Sequence, residues 1–218
     1  MSREERQTEL REKTDQLLKG SLKHVRAAAL AAVLVPLASV AATRAVAEQC
    51  PSAGCPPPVT VPSPCDFTTS GGFVLKGSGK KLTFGAHGGC KHGEFWGNLN
   101  LIDHETGYSV NSLEILGYVS SVGTEATTRD ICGTATTNGA EGQPVYFRLR
   151  LVDNGEPGLA DQFGIRLSNG YHVSTRLLNG GQKGGGNVQL HEPNPSTTGP
   201  EPAPSLAEMC GPLETLEP

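Results

Sequence analysis

Aromatic residues are scarce: one tryptophan, four tyrosines and six phenylalanines in 218 residues. A core of any size must therefore be built mainly from Val, Leu and Ile. Basic residues are not in excess. Eighteen Lys and Arg against 22 Asp and Glu leave a formal charge of -4, which excludes the basic face that nucleic-acid binding requires. The six cysteines do not fall into paired C-x-x-C spacings, so no zinc ribbon or finger is written here. No G-x-S-x-G occurs, which removes the serine setting of an α/β-hydrolase. The core also lacks any stretch of convincing helical period. The absence of these signals leaves a non-nucleic-acid, strand-built protein, for which glycine (28) and proline (16) supply the turns.

The longest apolar run is short. "AAALAAVLVPLASVAA", Ala27 to Ala42, spans about 24 Å as a helix, less than the ~30 Å of a bilayer core. Lys19, Lys23 and Arg26 precede it, and small residues at Ala45 and Ala47 follow. This three-part pattern predicts an export signal cleaved near Ala47, or else an N-terminal anchor. Either form places the remainder outside the cytoplasm, secreted or at the cell surface, where disulfides persist. Membrane contact is expected only through this segment, if it is uncleaved.

Four regions follow: a leader with signal or anchor over 1–47, a proline-rich linker over 48–65, a β domain over 66–192, and a proline-rich acidic tail over 193–218. The two flanks, "CPSAGCPPPVTVPSPC" and "EPNPSTTGPEPAPSLAEMCGPLETLEP", have little to bury and are expected to be disordered. Cys50, Cys55, Cys65, Cys90, Cys132 and Cys210 are all disulfide candidates. Six cysteines permit fifteen connectivities. Cys90–Cys132 is the preferred pair, and Cys210 could tie the late tail to the early one.

Within the β domain the hydrophobic period is two. Val145, Phe147, Leu149 and Leu151 alternate with Tyr146, Arg148 and Arg150; Phe163, Ile165 and Leu167 alternate with Gly164, Arg166 and Ser168. Phe95, Leu99 and Leu101 share one face, as do Val188 and Leu190. Further strands are expected at Phe73–Lys76, Leu82–Ala86, Leu113–Val119 and Ile131–Thr136. One buried and one wet face is the habit of antiparallel sheets. Turn signals at Asn138–Gly139, Asn169–Gly170 and Asn179–Gly180 punctuate the runs. The expected fold is all-β: an antiparallel β-sandwich or small β-barrel of about eight or nine strands.

"DHETG" (Asp103–Gly107), "GTATTNG" (Gly133–Gly139), "LVDNGEPGLADQFGIRLSNGY" (Leu151–Tyr171) and "GGNVQLH" (Gly185–His191) together resemble a bacterial exported module, the post-COAP-1 domain, over about residues 66–191. The resemblance implies an extracellular β-rich accessory module of unassigned activity. It brings no catalytic residues with it, and Cys90 and Cys132 stand outside its pattern.

Three groups could carry chemistry. Asp153, Asn154, Glu156 and Asp161 could offer calcium the oxygen ligands it prefers, although their order is not that of an EF-hand. Local bonding to backbone amides is the competing structural use. His104 beside Asp103, or His191, could serve as a base in a secreted hydrolase. His87, Cys90 and His92 hold zinc-type ligands without a second pair. The glycine-rich "KGSGKK" (Lys76–Lys81) and "NGGQKGGGN" (Asn179–Asn187) read as hairpin loops rather than phosphate cradles. Trp96 could stack on a sugar, but core or edge packing is the simpler assignment. The function expected from all this is an exported, non-catalytic binding or accessory module for a protein or glycan ligand. A hydrolase and a calcium-stabilised adhesive module are the alternatives; no cofactor is expected, with calcium as the candidate exception.

Overall fold

A computed structural model describes residues 59–121, 126–139 and 142–218. The leader, its apolar segment, Cys50 and Cys55 lie outside these residues. Ten strands follow one another: β1 (Val59–Thr60), β2 (Phe67–Leu75), β3 (Lys81–Lys91), β4 (Glu94–Asp103), β5 (Tyr108–Ser121), β6 (Thr128–Thr137), β7 (Val145–Val152), β8 (Gln162–Leu167), β9 (His172–Leu177) and β10 (Gly186–His191). They form one antiparallel sheet in the order β10-β2-β3-β4-β5-β6-β7-β8-β9, with the short β1 added to β5. The architecture is a single sheet curled into a half-barrel. The expected strands are present, lengthened at most ends. β9, "HVSTRL", carries only one strongly buried residue, Val173, and its alternation is too weak to announce it.

The curl follows from the side-chain period. Leu82, Leu99, Leu101, Phe147, Leu149, Leu151, Phe163, Ile165 and Leu167 all face inward and are essentially sealed from solvent. A flat sheet would leave that face wet; curling lets it cover itself. Phe84 of β3 and Phe163 of β8 lie five strands apart in the sheet, yet their rings stack at 3.9 Å across the interior. The Asn169–Gly170 turn joins β8 to β9 as its residues require. Gly170 takes a φ of 94°, and the Leu167 N–H donates to the Tyr171 carbonyl at 2.8 Å.

Both proline-rich flanks differ from expectation. Cys65, at the end of the linker, is buried and joined to Cys90; Cys210, in the tail, is buried and joined to Cys132. The preferred Cys90–Cys132 pair is therefore corrected. The pleat explains why: Cys90 shares the inward face of β3 with Phe84 and Ala86, whereas Cys132 pairs across β7 with the outward Arg148. Two cysteines on opposite faces of a sheet cannot meet.

The tail is not the loose end its composition predicts. A short helix, α1 (Leu206–Cys210), is closed by a capping box between Ser205 and Glu208. Met209 and Cys210 are buried against Val119 and Cys132 on the outer side of the sheet, and Leu213 is buried in the turn that packs on β7. Further on, the Arg148 Nη1 donates to the Glu214 carbonyl at 2.9 Å, the Arg150 Nη1 to Glu217 at 3.0 Å, and the Arg166 Nε to the Glu217 carbonyl at 3.0 Å. The outward arginines of β7 and β8 thus hold the tail. The proline-rich composition rules out a regular long helix but does not prevent attachment by a staple and a row of cations.

Candidate functional site

The acidic loop between β7 and β8 sits at the open seam of the sheet. β10 bonds β2 along one edge, and among the described residues no strand pairs with its other edge. Two N–H groups on that edge, two residues apart, point toward the loop. Val188 N donates to Asp161 Oδ2 and Leu190 N to Asp153 Oδ2, each at 2.7 Å. The second carboxylate oxygens are also taken: Asn154 N donates to Asp161 Oδ1 and Gly155 N to Asp153 Oδ1, each at 2.9 Å. Asn187 Nδ2 reaches Glu156 at 2.9 Å, and Asn154 Nδ2 reaches the Ala160 carbonyl at 2.8 Å. The structure therefore brings the four residues of the calcium expectation together, but it aims amide hydrogens at their oxygens. Those amide hydrogens compete with a cation for the same carboxylate lone pairs.

Burial pushes the Asp161 carboxyl above its ordinary range, opposed by the Val188 and Asn154 amides and reinforced by the nearby charges of Asp153 and Glu156. Being raised, this group contributes less as pH climbs through its folded value. Asp161→Asn keeps one acceptor and turns its amide donor toward another donor. The expected loss is about 2 kcal/mol, read from the denaturant midpoint. Calcium or chelator is expected to leave the melting temperature unchanged; a rise with calcium would restore the calcium-binding assignment.

The two histidines of the hydrolase expectation are not neighbours. His104 follows Asp103, which pairs with Leu82 at one end of the sheet; His191 pairs with Phe67 at the other. Each is held by a threonine: His104 Nε2 lies 2.9 Å from Thr83 Oγ1, and His191 Nε2 lies 2.8 Å from Thr69 Oγ1. Cys90 is spent in its disulfide, which removes it from any set with His87 and His92. Among the described residues no group of three or more His, Cys, Asp and Glu is arranged to hold a metal.

Sequence reasoning missed the charged cluster at the end of β4. Asp103 is fully buried, and Lys76 Nζ lies 2.8 Å from its carboxylate and 2.6 Å from that of Glu105. Tyr171 donates to Asp103 at 3.0 Å and stacks on Tyr108 at 4.6 Å. Lys76, Asp103, Tyr108 and Tyr171 line a cleft of about 370 Å³. Burial raises Asp103, but Lys76, the Glu105 amide and Tyr171 outweigh it and hold the carboxyl below its usual value. Lys76 likewise lowers Glu105, and Asp103, followed by Glu105, raises Lys76.

The lowered acids contribute fully above their unfolded pKa near 4 and lose that contribution as pH falls through their folded values. The raised amine contributes fully below about 10 and loses its share only above that. A melting-temperature profile is therefore expected to fall below about pH 4, and Lys76→Met to flatten that fall. An unchanged profile in the variant would show that the cluster adds nothing. No local sequence signal joins Lys76, Asp103 and Tyr171, because they come from three separate strand ends.

A second feature occupies the outer face of β10, β2, β3 and β4. Phe67 stacks on His191 with centroids at 4.3 Å and nearly parallel rings. Trp96 lies 5.9 Å from Phe67 and 5.4 Å from His87. Register places His191, Phe67 and Trp96 in one transverse row, with Gly89 between the last two. A side chain on Gly89 would put its Cβ 2.3 Å from that of Phe67, so the close row of rings requires glycine there. Trp96 is thus half-buried on the outward face rather than in the core, as the alternation of Phe95, Leu99 and Leu101 on the other side demands.

No family model matches the chain, and neither a curated protein nor a solved structure matches it. Among the described residues no helix is long and apolar enough to cross a membrane.

Proposed function

We propose that the chain is an exported, non-catalytic β-domain that serves as a secreted or cell-surface binding or accessory module. The observation that carries this reading is the pair of disulfides. Cys65–Cys90 and Cys132–Cys210 fasten the segments before and after the sheet onto it, a construction that lasts only in an oxidising compartment. The signal-like pattern ahead of Ala47 and the resemblance of 66–191 to an exported module point the same way. The carboxylates that sequence patterning offers for chemistry have other uses here. Asp153 and Asp161 close a sheet edge, and Asp103 holds Lys76 and Tyr171.

Intact mass of the protein recovered from each cell fraction, with and without reduction, tests the reading. The expected species lies outside the cytoplasm, is oxidised at the four buried cysteines and begins near Glu48 or retains its anchor. A chain resident in the cytosol with free thiols overturns it.

A further inference from the structure

The two halves of the sheet's outer surface are treated differently. Over β5 to β8 the tail covers it, through buried Met209 and Leu213 and the arginine contacts. Over β10, β2, β3 and β4 the outward Gly71, Gly85, Asn98 and Asn100 are exposed. We propose that this open half is a binding face for an uncharged polysaccharide. The proposal rests on the reading of the chain as an exported binding module and names the ligand class.

Three properties carry it. The first is the ring row. Phe67, Trp96, His87 and His191 brace one another at 4.3 to 5.9 Å, so their positions are fixed before any ligand arrives and little entropy is lost on binding. Half-exposed aromatic faces carry negative charge density, and the C–H-bearing face of a pyranose ring presents the complementary positive hydrogens.

The second is the floor. Gly71 pairs with Gly85, and that row continues through Asn100 to Asn111. Among the described residues nothing lies within 4 Å of where a Cβ on Gly85 would stand. The result is a shallow trough beside the rings, floored by bare backbone and ended by amides. Asn100 Nδ2 donates to Asn111 Oδ1 at 2.7 Å, which leaves the Asn100 carbonyl and the Asn111 amino group to meet hydroxyls. Asn98 stands between rings and trough, next to His87. Four strands at ~4.8 Å spacing and three outward rows at ~6.7 Å make a platform of roughly 14 by 13 Å, room for a short run of sugar rings.

The third is charge. The three transverse rows through Phe67, Thr69 and Gly71 hold no carboxylate, lysine or arginine of their own; Lys81 Nζ lies over Phe73 one row beyond, and Glu156 meets Asn187 at the β10 end. The outward arginines of β7 and β8 belong to the covered half. A neutral face of rings and amides matches a neutral ligand, not an acidic one.

The test uses the exported protein with cellulose and chitin as insoluble probes and starch, xylan and mixed-linkage β-glucan in affinity gels, with alginate as the anionic control. Retention by at least one neutral polysaccharide is expected, insensitive to salt. Trp96→Ala is expected to weaken it at least tenfold. Gly85→Leu is expected to abolish it while the melting temperature stays level or rises, because its Cβ enters open space and a strand glycine is replaced by a residue with less freedom to lose; this variant separates loss of binding from loss of folding. Failure of every neutral probe, binding to alginate alone, or variants that bind as the parent does would each overturn the proposal. An oxidised, exported protein that ignores all neutral probes sinks this inference and leaves the exported-module reading standing; free thiols in the cytosol sink both.

Discussion

Replacing Asp130 by alanine is expected to cost about 4 kcal/mol. Asp130 and Arg148 are nearly fully buried on the outward side of β6 and β7, beneath the tail. Arg148 Nε and Nη2 lie 2.8 and 2.7 Å from Asp130 Oδ2, and Arg150 Nε lies 2.8 Å from Oδ1. One carboxylate therefore faces two guanidinium groups; Glu217 supplies Arg150 with a second anion, while Arg148 is sealed from solvent with Asp130 as its carboxylate partner. Removing the anion leaves Arg148 charged and sealed in, and breaking a buried pair in this way typically costs 3–5 kcal/mol. Much of a domain's net stability, ~5–15 kcal/mol, would go with it.

The damage is expected to spread to the tail. Arg148 also donates to the Leu213 and Glu214 carbonyls, so its reorientation frees residues 213–218 to exchange and to be cleaved. Denaturant unfolding and limited proteolysis check both parts. A loss below about 1 kcal/mol would mean that water enters and solvates Arg148. Asp130→Leu with Arg148→Met is expected to recover most of the loss, because a well-packed apolar pair often replaces a buried ion pair at no cost.

Opening the tail staple is expected to cost nearly as much or more. The Cys132–Cys210 bridge closes 78 residues of sequence, against 25 for Cys65–Cys90. Loop-closure entropy scales with the logarithm of that length, giving about 4.5 kcal/mol for the longer loop and about 3.5 for the shorter. The longer bridge also anchors α1. Without it, Met209 and Leu213 are held only by their own packing and by the arginine contacts. Cys132→Ala with Cys210→Ala is therefore expected to lower the melting temperature more than Cys65→Ala with Cys90→Ala. Equal losses would show that loop length does not govern the effect, and that the tail adds little to the rest of the fold.

The interior was legible in the sequence because pleating gives it a strict code. Every other residue of β7 and β8 is apolar, and Phe147, Leu149, Leu151, Phe163, Ile165 and Leu167 all face inward. β5 breaks the code. Register shifts between Ser112 and Glu114 and between Ile115 and Gly117 turn Leu113 outward to 57 % exposure; each extra residue reverses the alternation that a period-two reading assumes. The acidic loop was legible as a cluster but not as a function. Its partners, Val188 and Leu190, are backbone amides more than 25 residues away, and an amide leaves no mark in the sequence. The outer face was hidden for a related reason. Phe67, His87, Trp96 and Asn100 come from three strands and become neighbours only once those strands are in register.

The amino-acid order by itself determined the strand period, the turns at Asn138–Gly139 and Asn169–Gly170, and hence an antiparallel all-β domain, because those features depend on residues a few positions apart. Which cysteines pair, where the proline-rich tail lies and which half of the outer surface stays open were decided only in three dimensions. They depend on how far the sheet curls and which side chains each face then presents, and that is a property of all the strands together.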